Sequence, residues 1–440
     1  MKSIALILLI LFLIFPAPLW GESPEESGGK VTGPLQSFSL QKVFQLVLDS
    51  NPGLKVLNFE LEALAGRRLQ AGCRPNPEFS TVLENIAGTG RVGYGKSAET
   101  TVSLTQRFEL GGKRMLRVRA VDSEKKVAVQ DLETRRAELI AVAAESFVQI
   151  LAAQQRLKNR QELLDLAVKT DSIVTERVAA GKVSPIEQSR SAVTLETARL
   201  EQEKAEKELF ALKERLTGLW GGHGHDFLKV SGSFQLSKAM RQISTSPPVA
   251  NSPEVKRAAA IIESQRSLFE LEKSSRKPDI SLGGGWRHLN QYGDSAWVAT
   301  ISIPLPLFDK KQGAIAEAQS RISKSVQEQK AIENLVLASL AETRQSAESA
   351  NKEAATLSAS ILPSAQIAFS SLEEGYRQGK FDYLQVLDAQ RTYFELKGRQ
   401  IDAMLRTYTS IIRIHLLTGA ILETDAMLSM FDEKESSNEK

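Results

Sequence analysis

The sequence predicts a mainly α-helical protein with a small β part, built as an internal two-fold repeat. Three observations lead there. From Arg114 to Val178 there is neither Pro nor Gly, and Ala, Leu, Glu, Arg, Lys and Gln dominate. At ~1.5 Å per residue such a helix is about 100 Å long, too long for a globular domain. Four short runs alternate apolar and polar residues at period two, the pattern of half-buried strands. Landmarks also recur in one order. "NPGLK" at Asn51 and "SPEVK" at Ser252, Pro77 in "RPNPEFS" and Pro278 in "SRKPDIS", and "LTG" at Leu216 and Leu417 are each 201 residues apart, while the Gly-Lys pairs at Gly181 and Gly379 are 198 apart. Each half reads helix, strand, loop, strand, very long helix, Gly-Lys turn, helix. The three-residue discrepancy predicts a length change within one long helix.

The chain opens with "MKSIALILLILFLIFPAPLWGESPEES", one Lys and an apolar run from Ile4 to Phe15 followed by small and helix-breaking residues. This predicts a secretory signal over 1–21, cleaved between Ala17 and Gly21. The alternative is an uncleaved anchor helix, but the run is shorter than the ~20 residues a spanning helix needs. No other segment approaches that length, so a membrane-embedded part of the mature chain must be β-barrel, the other way to satisfy every backbone group in lipid. Cys73 is the single cysteine, which excludes an intramolecular disulfide; it reads as a small buried hydrophobe, and it lies too far along the chain for a lipidated N-terminus. The charges nearly balance, 56 Lys and Arg against 53 Asp and Glu, with 25% of residues charged. That argues against nucleic acid as a partner and for long solvated helix faces.

After a flexible segment over 22–37, the first repeat spans 38–218, with a helix from Phe38 to about Ala71 and a β-hairpin at 78–109. In "TVSLTQRF", Val102, Leu104 and Phe108 alternate with Ser103, Thr105 and Arg107. A linker over 219–252 leads to the second repeat, 253–420, whose hairpin lies at 279–305. There "WVATISIPL" places Trp297, Ala299, Ile301 and Ile303 on one side. Strands of ~8 to 10 residues can cross a bilayer when tilted, but four cannot close a barrel, since small membrane barrels start at about eight. Several chains would have to pool them; a soluble half-buried hairpin is the alternative. Heptad-spaced Leu132 and Leu139, then Ile150, Leu157 and Leu164, with Ala between, suit side-by-side packing of the long helix. It returns over Ser184–Leu216; the second repeat does the same over Gly313–Glu374 and Asp382–Leu417. Residues 421–440 read as a polar tail. Gly181 and Gly379 mark the reversals, where a positive φ is expected.

Chemistry-bearing constellations are sparse. His223 and His225 in "GGHGHDF" could suggest a metal site, but with flanking glycines, no nearby cysteine and four His in the whole chain they read as a surface loop. Lys113, Arg114, Arg117 and Arg119 open the long helix just after a strand, suited to lipid head groups, an acidic neighbour or plain solvent. No nucleophile–base pair, phosphate loop or spaced carboxylate pair stands out, so neither catalysis nor a cofactor is expected.

Two strings carry a resemblance. "GKFDYLQVLDAQRTYFELKGRQ" at Gly379–Gln400 and "TQRFELGGKR" at Thr105–Arg114 resemble the TolC-like outer-membrane efflux family, the second string in the form seen in the outer-membrane component of cobalt-zinc-cadmium resistance pumps. The similarity covers about Phe38 to Ala420. It implies a TolC-like fold: a homotrimer whose four strands per chain make a twelve-stranded transmembrane β-barrel in the outer membrane of a Gram-negative bacterium, continued by an α-helical coiled-coil barrel across the periplasm. The implied function is the exit duct of a tripartite efflux system, with a periplasmic adaptor, an inner-membrane RND-type pump and heavy-metal cations as cargo. A duct of the same fold for drugs or secreted polypeptides stays open, as does, from another class, a non-conducting periplasmic scaffold.

By the same resemblance the two turns are periplasmic tips, with Gly181, Lys182, Val183 and Ser184, and Gly379, Lys380, Phe381 and Asp382, as adaptor contacts. Glu187 and Tyr376 match an entrance latch, although Phe381 stands where TolC members carry a latch arginine. Asp388 and Gln385 match the family's two inward-pointing aspartates, so one acidic ring rather than two is implied at the pore constriction. The alternative for Asp388 is a solvated residue or a pair with Arg391.

Overall fold

The computed structural model describes residues 37–224, 227–234 and 249–431. The expected signal, nearly all of segment 22–37, His225, part of the linker and the last nine residues lie outside them. The described chain runs α1 (Leu40–Ser50), α2 (Pro52–Ala71), β1 (Glu78–Glu84), β2 (Glu99–Phe108), α3 (Lys113–Ala179) and α4 (Pro185–Thr217) through the first repeat. The second follows with α5 (Pro253–Ser274), β3 (Ile280–Leu289), β4 (Asp294–Ser302), α6 (Gln312–Thr356), α7 (Leu362–Arg377) and α8 (Tyr383–Thr418), then a short α9 (Thr424–Ser429).

Several expected elements are refined. The helix expected over 38–71 is two, because Pro52 cannot continue α1 and Asn51 instead caps α2, its side chain accepting from the Gly53 and Leu54 amides at 2.9 and 3.3 Å. The second long helix is interrupted by a π-turn over Leu357–Ile361, directly before Pro363, whose ring and missing N–H disturb the hydrogen-bond ladder. The three-residue discrepancy arises between the Pro77 or Pro278 landmark and the tip, where the second repeat is three residues shorter, and it is undone after the tip, where the return helix α8 has 36 residues against 33 in α4. Residues 421–431 are not a polar tail. Ile421, Met427, Met430 and Phe431 are buried, and the Phe431 ring sits 5.6 Å from that of Phe147 and 5.3 Å from that of Tyr408.

The main core is a belt around the middle of the long helices. Leu40, Val43, Phe44 and Val47 of α1 pack on Leu139, Ile140, Phe147, Ile150 and their alanine neighbours in α3 and on Tyr408, Ile411 and Ile412 of α8. The linker crosses this belt, Phe227 and Val230 being buried in it and Val230 bridging to Phe38. The most apolar stretch of α3 is thus covered by protein. Many of its buried positions are alanines, Ala137, Ala141, Ala143, Ala144, Ala152 and Ala153, which let helix axes approach closely. Cys73 is exposed, contrary to expectation; its thiol donates to the Leu69 carbonyl at 3.5 Å.

The four strands form one antiparallel sheet in the order β1-β2-β3-β4. The repeats meet at its centre, Val102 pairing with Trp286 and Leu104 with Gly284. β1 and β4 are open edges.

Candidate functional site

Three regions stand out: the sheet, the corner that carries it onto the helices, and the far tips. The register sorts the sheet into two faces. Phe79 pairs with Leu104, Val102 with Trp286, Trp286 with Trp297 and Leu282 with Ile301, so these side chains share one face. All are exposed to some degree; Phe79 is 71%, Trp297 87% and Ile301 72% accessible. The opposite face carries Glu84, Glu99, Thr101, Ser103 and Arg287. There Arg287 braces three strands, donating to Thr101 Oγ1 at 2.9 Å and Glu99 Oε2 at 3.2 Å and lying 3.6 Å from Glu84 Oε2. A sheet apolar on one side and polar on the other, with its apolar side uncovered, is built for lipid outside and water inside.

The "ELGGKR" string makes the corner between β2 and α3. Gly111 and Gly112 both take positive φ, 78° and 73°, and a Cβ on Gly111 would sit 2.8 Å from Lys277 Cδ. Glu109 is ion-paired with Arg117, and Lys113 Nζ donates to Asp279 Oδ1 at 2.6 Å. The Arg117 hydrogen bond holds the Glu109 carboxyl below the usual range. Of the four basic residues read from the sequence, Lys113 and Arg117 therefore have acidic neighbours, while Arg114 and Arg119 are exposed.

Both tips close the same way. Gly181 and Gly379 have φ of 66° and 77°, and each completes a Schellman turn. The Lys182 amide donates to the Arg177 carbonyl at 2.9 Å and the Lys380 amide to that of Gly375 at 2.8 Å. Ser184 and Asp382 then cap the return helices; Asp382 and Gln385 form a capping box. Gln385, expected beside Asp388 on the pore side, thus turns its side chain back to the Asp382 amide, 3.3 Å away. Val183 is half-buried and Lys182 and Lys380 are exposed. The Phe381 ring lies on Gly375, and a Cβ at 375 would collide with it.

Glu187 and Tyr376 are brought together: the phenol donates to Glu187 Oε2 at 3.2 Å, joining the two tips. Tyr376 is buried with Val174, Phe369, Tyr383 and Val386. Burial first, then the Glu187 charge, pushes its pKa up to about 12, with Arg177 opposing. The phenol therefore stays a donor at any pH near neutrality. Asp388 is exposed, with no hydrogen bond or ion pair to another described residue; Arg391 pairs with Glu395 at 2.7 Å instead. His223 is exposed, and among the described residues no group of three or more His, Cys, Asp or Glu could hold a metal ion.

One participant is missing from the sequence reading. Arg177 Nη1 donates to the Tyr376 carbonyl at 2.6 Å and its guanidinium lies 4.5 Å from the Tyr376 ring centroid. Superposing the repeats at their 198-residue spacing sets Arg177 against Gly375 and Val178 against Tyr376, a signal that the tips differ here.

A two-faced strand sheet carried on helices of this length defines the protomer of an outer-membrane channel. The outer membrane efflux protein model matches residues 43–222 and 249–420, and the chain belongs to that family. Over 405 residues it is 31% identical to the cobalt-zinc-cadmium resistance protein CzcC of Cupriavidus metallidurans, covering 90% of this chain and 92% of that one. It is 24% identical over 285 residues to the nickel-cobalt-cadmium resistance protein NccC of Alcaligenes xylosoxydans xylosoxydans, 64% of each chain. Among solved structures it resembles CusC, with a TM-score of 0.73, 17% identity and 87% and 92% of the two chains covered. The outer membrane protein VceC of Vibrio cholerae gives a TM-score of 0.70, 18% identity and coverage of 86% and 96%. The protein is an outer-membrane efflux channel, not the periplasmic scaffold that the strands alone left open.

Proposed function

We propose that three chains pool their sheets into a twelve-stranded barrel and that the assembled duct exports heavy-metal cations, receiving them from an inner-membrane RND-type pump through a periplasmic adaptor. The observation that carries the assembly is the sheet itself: two open edges on an apolar outer face leave backbone groups that lipid does not tolerate, so chains must pool their strands, and three is the number that the family resemblance implies. The metal cargo is supported by the similarity to CzcC along nearly the whole chain. The adaptor meets the tips at Gly181, Lys182, Val183 and Ser184 and at Gly379, Lys380, Phe381 and Asp382, with the Phe381 ring seated on Gly375 and still 43% exposed.

Glu187 and Tyr376 form the entrance latch. A phenol-to-carboxylate bond is charge-assisted, and at a partly wet tip it contributes on the order of 1 kcal/mol. Tyr376→Phe should raise the closed duct's leak about fivefold, read as basal conductance and as antibiotic entry in cells; unchanged values would remove the latch.

Asp388, unpaired on the exposed stripe of α8 above the Gly379 turn, forms the pore constriction, with Gln385 one turn nearer the tip as its uncharged neighbour. Three symmetry-related carboxylates in a narrow aqueous passage favour cations. Asp388→Asn is expected to lower cation selectivity several-fold and to weaken block by multivalent cations from the periplasmic side, with trimer yield unaltered. The same selectivity and block in the substituted trimer would place Asp388 off the pore.

A further inference from the structure

Tyr376 is held by the other repeat from two sides. Arg177 lies in the last turn of α3 and Glu187 in the first turn of α4, so the two residues flank the Gly181 turn. Glu187 takes the phenol. Arg177 takes something the Tyr side chain does not control, the main-chain carbonyl of residue 376, at 2.6 Å. That carbonyl belongs to the final turn of α7, where the helix's own donors run out. It already accepts the Gly379 amide at 2.9 Å; the guanidinium supplies a second, charged donor at the negative end of the α7 dipole. The same guanidinium faces the ring at 4.5 Å, a geometry a planar cation can combine with in-plane donation and an ammonium cannot. It also reaches the second turn itself, since a Cβ on Gly379 would be 3.9 Å from Arg177 Nη2.

We propose that Arg177 is a clasp that ties the two tips of each protomer together independently of the phenol, so that the entrance is held by two bonds rather than one. The proposal rests on the gated-duct reading above. Because the Arg177 bond is to main chain, it survives loss of the Tyr376 hydroxyl, which sets a distinctive expectation. Arg177→Gln should raise the open fraction of single channels about tenfold, and it should do so equally in the Tyr376→Phe background, the two effects multiplying. Arg177→Lys keeps a cation near the carbonyl but loses the plane over the ring, and is expected to fall between wild type and Arg177→Gln.

The test is single-channel recording in planar bilayers on the four proteins of the Arg177→Gln and Tyr376→Phe cycle plus Arg177→Lys, with trimer yield scored beside each. Multiplying effects at normal yield support the clasp. No change in Arg177→Gln, or a change that vanishes in the Tyr376→Phe background, overturns it. If Arg177→Gln does not assemble, Arg177→Lys decides: wild-type behaviour overturns the clasp, and an increased open fraction supports it. An effect of Tyr376→Phe without one of Arg177→Gln sinks the clasp alone, and the reverse sinks only the phenol latch.

Discussion

Leu104→Arg is expected to abolish membrane assembly, whereas Ser80→Arg, one strand away on the other face, should leave it intact. Leu104 lies at the middle of the sheet on the apolar face, paired with Phe79 and Gly284 and 55% accessible. A charge at the bilayer midplane of a barrel costs roughly 2 to 4 kcal/mol, and a three-chain barrel would carry three of them. Ser80 pairs with Ser103 on the polar face, where water fills the lumen and an arginine is solvated. The readout is heat-modifiable trimer in outer-membrane fractions, with a loss of more than about tenfold for Leu104→Arg. Equal yields from the two variants would mean the apolar face does not meet lipid.

The second large effect concerns the "LTG" string that first revealed the repeat. Gly419 ends α8 with φ of 77°, and a Cβ there would collide with the Asn251 carbonyl oxygen and lie 3.1 Å from its carbon, both rigid main-chain atoms. Gly419→Ala should therefore destabilise by on the order of 3 kcal/mol, from left-handed backbone strain plus the clash. Its counterpart Gly218 has φ of −57°, and a Cβ meets only the Glu214 and Arg215 carbonyl oxygens at 3.3 and 3.5 Å. Gly218→Ala should change stability by less than about 1 kcal/mol. Thermal unfolding of the detergent-solubilised protein separates them: several degrees lost for Gly419→Ala and little for Gly218→Ala. Equal shifts would show that the repeats' junctions are interchangeable.

That contrast also shows where sequence was enough. The repeat, the strands and the tips announce themselves through periodicity and glycine placement, because helix and strand periods and positive φ are local properties. The Tyr376–Glu187 contact was reached through the family motif, not through pattern. What stayed hidden depended on tertiary placement. Nothing local to Arg177 says that its partner lies 199 residues away. Met427, Met430 and Phe431 lie in a six-residue, mostly apolar run just before the charged end of the chain, too short to show a period, and packing against α3 and α8 makes them core. That the Gln385 side chain also caps α8 through the Asp382 amide shows only in the structure. Pro363 was visible, but helices tolerate a proline when a π-turn absorbs it, so its presence did not by itself place a break.

Three copies of this chain are expected to enclose one gated aqueous passage. Single-channel recording of the purified protein in a planar bilayer is the decisive measurement. Discrete conductance steps are expected from a three-chain particle, cation-selective and blocked by multivalent cations from the side of the tips. A folded trimer that inserts yet passes no current, in wild type and in Tyr376→Phe alike, would contradict it.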